Sequence, residues 1–251
     1  MTLKVPRPLC RPNTAVLMLP VAILAGGLAT RLRPITETIP KALVDVSGKP
    51  FIVRQLSFLR DQGVQRVVMC IGYLGEMIEA LVGNGAQFGL EVSYSPDGPT
   101  LLGTGGALKQ ALPHLGNTFF VLYGDSFLPL DFAAVEREFV QNGKLALMTI
   151  LKNGDQWDKS NVLFANGRLV EYNKRAPKPE MEFIDYGLGV MRSSVLDDYP
   201  WSQCFDLADV YQVLSLKGQL GGMEVFERFY EIGSHAGLKQ TEDYFFEKDR
   251  V

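Results

Sequence analysis

The segment from residue 21 to residue 44, VAILAGGLATRLRPITETIPKALV, constrains the fold more than any other stretch of the chain. It opens on Val21 to Ala25, an apolar run with the length and composition of a strand buried on both faces. The run breaks at Gly26-Gly27 and continues into a loop carrying Thr30, Arg31 and Arg33. Then come Ile39-Pro40, Lys41 and a second apolar triplet. Two glycines directly after a strand let the backbone approach a ligand closely and leave N–H groups unobstructed, which suits phosphate oxygens. Arg31 offers a planar fork of donors and Lys41 a mobile point charge, so the loop reads as a cradle for polyphosphate.

Beyond this segment, apolar runs alternate with amphipathic ones. Phe51 to Arg60 reads as a helix with Pro50 at its start and Gly63 as its stop. Strands are expected at Arg66 to Ile71, Leu90 to Tyr94 and Phe119 to Tyr123, with a short helix at Glu76 to Val82. Pro96 to Gly106 reads as loop, with a helix beginning at Ala107. Such alternation predicts an α/β fold, a Rossmann-like, mostly parallel mixed sheet with helices on both faces. Ligands then sit beyond the carboxyl ends of the strands, where both the Gly26 loop and Asp125 fall.

In the second half, strands are expected at Leu145 to Leu151, Phe183 to Met191 and Met223 to Ile232. A hairpin is expected to turn at Asn166-Gly167. Asp206 is placed to cap a helix from Leu207 to Leu216, and Leu238 to Phe246 reads as the last helix. No linker separates two domains, so residues 19–251 are expected to form one, with a first half (19–130) around the glycine loop and a second half (131–251) built onto the same sheet as a lid.

The glycine loop matches neither GxxxxGK[ST] nor GxGxxG. It resembles the signature of the sugar-1-phosphate nucleotidyltransferases, GGxxTRLxPxTxxxPKxLxxxxxKP. Gly26, Gly27, Thr30, Arg31, Leu32, Pro34, Thr36, Pro40, Lys41, Leu43, Lys49 and Pro50 stand at its fixed positions. The resemblance implies Mg²⁺-dependent transfer of a nucleotidyl group from a nucleoside triphosphate to a sugar 1-phosphate, with release of pyrophosphate. It makes Arg31 and Lys41 the catalytic cations, and Leu24, Ala25, Gly26 and Gly27 nucleotide contacts. Gly103, Thr104 and Gly105 join them from a loop similar to the LGTxGAL segment of the mannose- and heptose-1-phosphate guanylyltransferases, which favours GTP.

The same resemblance implies a metal held by Asp125, in the family's Gly-Asp motif, and by Glu231, which stands where the D-x-G-[ST] motif usually has Asp. Lys174, in EYNKRAP, is the expected sugar-phosphate ligand, with Asn161, Asp185 and Gly187 in the sugar pocket. Three positions depart from the family pattern: Asn173 replaces an acidic residue, Ser160-Asn161-Val162 replaces Tyr-Gly-x-Val, and Asp185-Tyr186-Gly187 replaces Asn-x-Gly. All three lie on the sugar side, which implies retained chemistry with a distinct sugar.

Composition narrows the partners. A formal net charge of −3 gives no electrostatic case for nucleic acid or an anionic membrane surface. Cys10, Cys70 and Cys204 are unclustered and odd in number, which suits a reducing, cytoplasmic setting, with Cys70 in the core. Residues 1–18, rich in Pro and polar side chains, read as a loose leader, and Met18 is an alternative start. Lys4, Arg7 and Arg11 before AVLMLPVAILA mimic a signal peptide, but cleavage after Ala25 would remove the strand feeding the glycine loop. Trp157 and Trp201 are expected as packing residues, and a homo-oligomer is left open.

Three other readings compete. One keeps the chemistry with UTP or another triphosphate. Another is a nucleotide-sugar-binding regulator without turnover, motivated by Glu231 and the altered sugar pocket. The last is a glycosyltransferase of related architecture, which usually carries Asp-x-Asp, whereas Asp125-Ser126-Phe127 lacks the second Asp.

Overall fold

A computed structural model describes residues 18–250; most of the expected leader, residues 1–17, lies outside them. In chain order, β1 (Val21–Leu24) leads through three short 3-10 turns to the ribbon of β2 (Asp45–Val46) and β3 (Lys49–Pro50). There follow α1 (Phe51–Asp61), β4 (Arg66–Ile71), α2 (Gly75–Val82), β5 (Glu91–Pro96), α3 (Gly103–Leu115), β6 (Thr118–Tyr123) and β7 (Ser126–Phe127). The second half contains α4 (Phe132–Asn142), β8 (Ala146–Lys152), β9 (Val162–Ala165), β10 (Arg168–Tyr172) and β11 (Phe183–Arg192). It closes with α5 (Leu207–Leu216), β12 (Leu220–Val225), β13 (Tyr230–Glu231) and α6 (His235–Lys248).

Nine strands form one mixed sheet along the path β10-β9-β11-β6-β1-β4-β5, with β8 bound to β11 and β12 to β8. The stretch β6-β1-β4-β5 is parallel throughout, so the carboxyl ends of these strands open on one edge. β11 runs antiparallel to β6 and joins the second half to it. Alternation along each strand sorts side chains between two cores. Val21, Ile23, Val67, Met69, Phe120 and Leu122 pack with Ile52, Leu56, Ile78, Phe132 and Val135 from α1, α2 and α4. Ala22, Val68, Cys70, Phe119 and Val121 pack with Leu108, Ala111, Val210 and Tyr211 from α3 and α5. A third, smaller core joins Leu32, Val44, Val46, Phe51, Phe127, Ile232 and Phe245 and fixes α6 against the glycine loop.

Three elements differ from the sequence reading. α3 begins at Gly103, not Ala107, because Phe205 O accepts from the N–H groups of Gly105 (3.0 Å) and Gly106 (3.3 Å) at the first turn. The expected strand from Met223 to Ile232 is two strands: β12 runs parallel to β8, while β13 pairs antiparallel with β7 in a separate ribbon. Residues 226–229 cross between the two sheets. α4 was not anticipated, although Phe132, Val135 and Phe139 recur at helical spacing and Asp131 accepts from the N–H groups of Ala133 and Ala134 as its cap. Among the described residues no helix is long and apolar enough to cross a membrane.

Candidate active site

Two cavities meet at the carboxyl edge of the parallel strands. The smaller, about 240 Å³, is lined by Leu24, Ala25, Gly26, Gly27 and Lys41 on one side and by Asp97, Gly103 and Thr104 on the other. The larger, about 480 Å³, is lined by Arg31, Asn161, Lys174, Asp185, Gly187, Glu231 and aromatic side chains. Tyr123 and Asp125 line both, so the expected nucleotide and sugar residues face one junction from opposite sides.

Backbone contacts set the glycine loop. Gly26 is pressed against Gly72: a Cβ on Gly72 would come within 2.7 Å of Gly26 O, and one on Gly26 within 3.1 Å of Gly72 N. Gly27 has nothing within 4 Å of its Cβ position, so its backbone is bare towards the cavity. Thr36 donates its hydroxyl to Ala29 O (2.8 Å), and fully buried Leu32 pins the turn that carries Arg31. Arg31 and Lys41 diverge: Arg31 enters the larger cavity, while Lys41 Nζ lies 2.9 Å from Asp125 Oδ2 and lines the smaller.

Asp125 follows Gly124, where a Cβ would lie 2.7 Å from Leu24 O, so a glycine is needed for the β6 end to close against β1. Burial opposes ionisation of Asp125, but the Lys41 charge and hydrogen bonds from Lys41 and Ser126 outweigh it and hold the carboxyl below its ordinary value. The β7–β13 ribbon pairs Ser126 with Glu231, and Ile232 N donates to Asp125 O (2.9 Å), which brings the second expected metal ligand beside the first. Glu231 accepts from Gly233 N and, at 2.8 Å, from the Ser234 hydroxyl. A Cβ on Gly233 would overlap Glu231 Oε2 and stand 3.1 Å from an Arg31 nitrogen and 3.4 Å from Asp125 Oδ2, so three charged groups converge on this glycine.

No cluster of three or more His, Cys, Asp or Glu able to hold a metal occurs among the described residues. The donor set nevertheless fits magnesium, a hard cation that takes one or two carboxylates and completes its shell with water and phosphate oxygens. Asp125 and Glu231 supply two carboxylates from separate chain segments at the junction, and each engaged oxygen keeps a lone pair.

On the nucleotide side, Thr104 donates to Asp206 Oδ1 (2.7 Å) and accepts from Leu207 N (2.9 Å), so its hydroxyl ties α3 to the start of α5. Gly105 does not line the cavity; its N–H is taken by Phe205 O, and a Cβ there would overlap the Phe205 ring. The glycines of this segment are required by the crossing of residues 203–207 as much as by any ligand. On the sugar side, Asn161 Oδ1 accepts from Asp185 N (3.0 Å), and Gly187, at φ 106°, lies in the register shift of β11 against β8, in a backbone conformation that strains any side chain. Burial pushes the Asp185 carboxyl up to about 6, against the Gly187 N–H and the Lys174 charge, which favour its ionised form.

Sequence reasoning missed several residues here. Gln55, buried on α1, donates its amide to Tyr123 O (3.1 Å) and Ser126 O (2.7 Å) and so holds the turn around Asp125. A polar residue four positions from Phe51 and Leu59, on the apolar stripe of that helix, was the available signal. Asp97 lines the smaller cavity; burial raises its carboxyl despite the Leu102 N–H, and its Oδ1 is buried without a partner. Cys70 is a core thiol as expected, pushed up to about 12 by burial and then by Asp97. Trp157 packs against the core and Phe229 as expected and also lines the larger cavity, whereas Trp201, also expected to pack, is 55% exposed.

Comparison with known proteins bears on the family and the fold. A family model described as nucleotidyl transferase matches residues 21–159. The N-acetylmuramate alpha-1-phosphate uridylyltransferase of Neisseria meningitidis is 42% identical over 113 residues, 45% of this chain and 49% of that protein. The D-glycero-alpha-D-manno-heptose 1-phosphate guanylyltransferase of Campylobacter jejuni is 27% identical over 76% of this chain and 83% of its own. The chain spans about half the length of the curated relatives it first matches. The crystal structure of HddC from Yersinia pseudotuberculosis complexed with GMP-PN superposes with a TM-score of 0.75 at 25% identity, covering 91% of this chain and 100% of that one.

Proposed function

Because the chain belongs to the nucleotidyl transferase family, we propose that it transfers a nucleotidyl group from a nucleoside triphosphate, GTP by preference, to a sugar 1-phosphate. A phosphate oxygen of the sugar attacks the α-phosphorus, a new P–O bond forms, and the α–β bond breaks to release pyrophosphate. The observation that carries this reading is the pair of cavities sharing Tyr123 and Asp125, which offers two ligands one meeting point.

The chemistry explains the residues gathered there. A phosphate monoester has a second pKa of about 6, so the nucleophile is already dianionic at neutral pH and needs no base. The obstacle is repulsion between polyanions: two unit charges 4 Å apart cost roughly 4 kcal/mol at an effective dielectric of 20. Cations and fixed positions are the remedy. Lys41 and the bare Gly27 backbone face the triphosphate from the smaller cavity, and Arg31 faces the junction from the larger. Lys174 meets the sugar phosphate, while Asn161, Asp185 and Gly187 border the sugar. Asp125 and Glu231 would hold magnesium, which when bound neutralises phosphate charge and orients the oxygens.

A screen of four nucleoside triphosphates against mannose-, glucose-, heptose- and N-acetylated sugar 1-phosphates, read as pyrophosphate release with Mg²⁺, tests the proposal. Release from at least one pair supports it, and silence across the whole panel rejects it. UTP is a second reading, favoured by the 42% identity to a uridylyltransferase; the same screen separates the two.

A further inference from the structure

The larger cavity holds a cation that nucleotidyl transfer itself does not use. Arg228 lies where the chain crosses from β12 to β13 and lines this cavity with Trp157, Phe229 and Gln240. Its guanidinium donates to Gln240 Oε1 (2.7 Å) and, through Nε, to Phe229 O (3.2 Å). Its central carbon stands 4.7 Å from the Tyr230 ring centroid and 5.4 Å from that of Trp157. These four partners fix the side chain, and none carries a charge. No ion pair among the described residues includes Arg228.

The other cations of this cavity are accounted for. Lys174 acts on the carboxyls of Asp185 and Asp206. Arg31 faces the Asp125 junction, where phosphate belongs. Arg228 stands three residues before Glu231 and is anchored on Phe229 O and on Gln240 of α6, not on the Asp125 junction to which the phosphate is assigned. Seating an uncharged sugar against it would strip water from a cation and return no opposite charge. A planar carboxylate would meet the fork of N–H donors that Gln240 and Phe229 leave free.

We infer that the sugar 1-phosphate taken by this chain carries a second anionic group, a carboxylate remote from C1, and that Arg228 selects it. The inference rests on the nucleotidyl-transfer reading and specifies its sugar. It also gives a reason for the altered sugar pocket, since Asn161, Asp185 and Arg228 border the same space.

Matched substrate pairs test it: glucose 1-phosphate against glucuronic acid 1-phosphate, and N-acetylglucosamine 1-phosphate against its 3-O-lactyl ether, each with all four triphosphates and Mg²⁺. In at least one pair the acidic member is expected to have the higher kcat/KM by about tenfold or more, mainly through KM, as a charged hydrogen bond provides. Arg228→Gln should collapse that ratio towards one, and Arg228→Lys should keep part of it. Equal kcat/KM within both pairs, preference for the neutral members, or an undiminished ratio in Arg228→Gln overturns the inference while nucleotidyl transfer stands. Should no sugar release pyrophosphate with any triphosphate, the transfer reading falls and takes this one with it. The wild-type comparison decides the matter even if a variant fails to fold.

Discussion

Lys41 and Asp125, 84 residues apart in the chain, meet as a 2.9 Å ion pair at the wall between the two cavities. The pair holds in one place the cation and the carboxylate that the proposed chemistry calls for. Their side chains are 19% and 30% exposed, so water reaches both partners.

Lys41→Met should lower turnover by about 10²–10³, the effect of losing one preorganised charge-stabilising donor, with a stability loss within about 1 kcal/mol. Asp125 has a carboxyl held below its usual value, so its stabilisation is present above pH 3.8 and is lost as pH falls through the lower folded value. The stability gap between wild type and Lys41→Met should therefore close on acidification. Steady-state pyrophosphate release and pH-dependent melts measure both; full turnover in Lys41→Met removes this lysine from the mechanism.

Chelation should abolish pyrophosphate release, and Mg²⁺ should restore it. Glu231→Gln should raise the half-saturating Mg²⁺ concentration about tenfold or more, as loss of a metal-site carboxylate does. An unchanged Mg²⁺ titration would show that Glu231 serves only to cap α6 through Ser234.

Asp185 gives an opposite pH signature. Its carboxyl is raised from 3.8 to about 6, so its favourable contribution is complete below pH 3.8 and is lost as pH rises through 6. Asp185→Asn should match wild type near about pH 4 and exceed it above pH 7, by about 2–4 °C in Tm for each kcal/mol relieved. A Tm difference that is the same at both pH values would mean that Asp185 ionises freely.

Two glycine substitutions should separate binding from packing. Gly27→Ala adds a methyl into open space, so Tm should hold while KM for the triphosphate rises. Gly106→Ala drives a methyl into Gln203 O, a backbone atom with no freedom to yield, and should cost about 1–3 kcal/mol. Thermal melts and triphosphate titrations on both variants check this; a destabilised Gly27→Ala would place that glycine in the scaffold.

Much of the site was legible because its signals are local. The β1 run, the double glycine and the Thr30–Lys41 spacing sit within one short segment, and the ends of β1 and β6 place Gly26 and Asp125 on one edge once the strands are parallel. Thr104 and Gly105 were read as ligand contacts from the same kind of local pattern. The crossing of residues 203–207, which takes the Thr104 hydroxyl and the Gly105 N–H, has no trace near them in sequence. Gln55 was overlooked for a similar reason: its partners, Tyr123 O and Ser126 O, are backbone atoms that any residue could have supplied.

By itself the amino-acid order determined most strands and helices of the main sheet, though not α4 or the break between β12 and β13, and which ionisable types are present, since periodicity and glycine act over a few residues. Only the tertiary structure decided that Arg31 and Lys41 take opposite sides of Asp125, that β13 leaves the main sheet to bring Glu231 beside it, and that Arg228 enters the sugar cavity. Those placements depend on strand pairing and helix docking between segments distant in the chain. Such contacts form through many weak packing terms summed over three cores, and no short stretch encodes that sum.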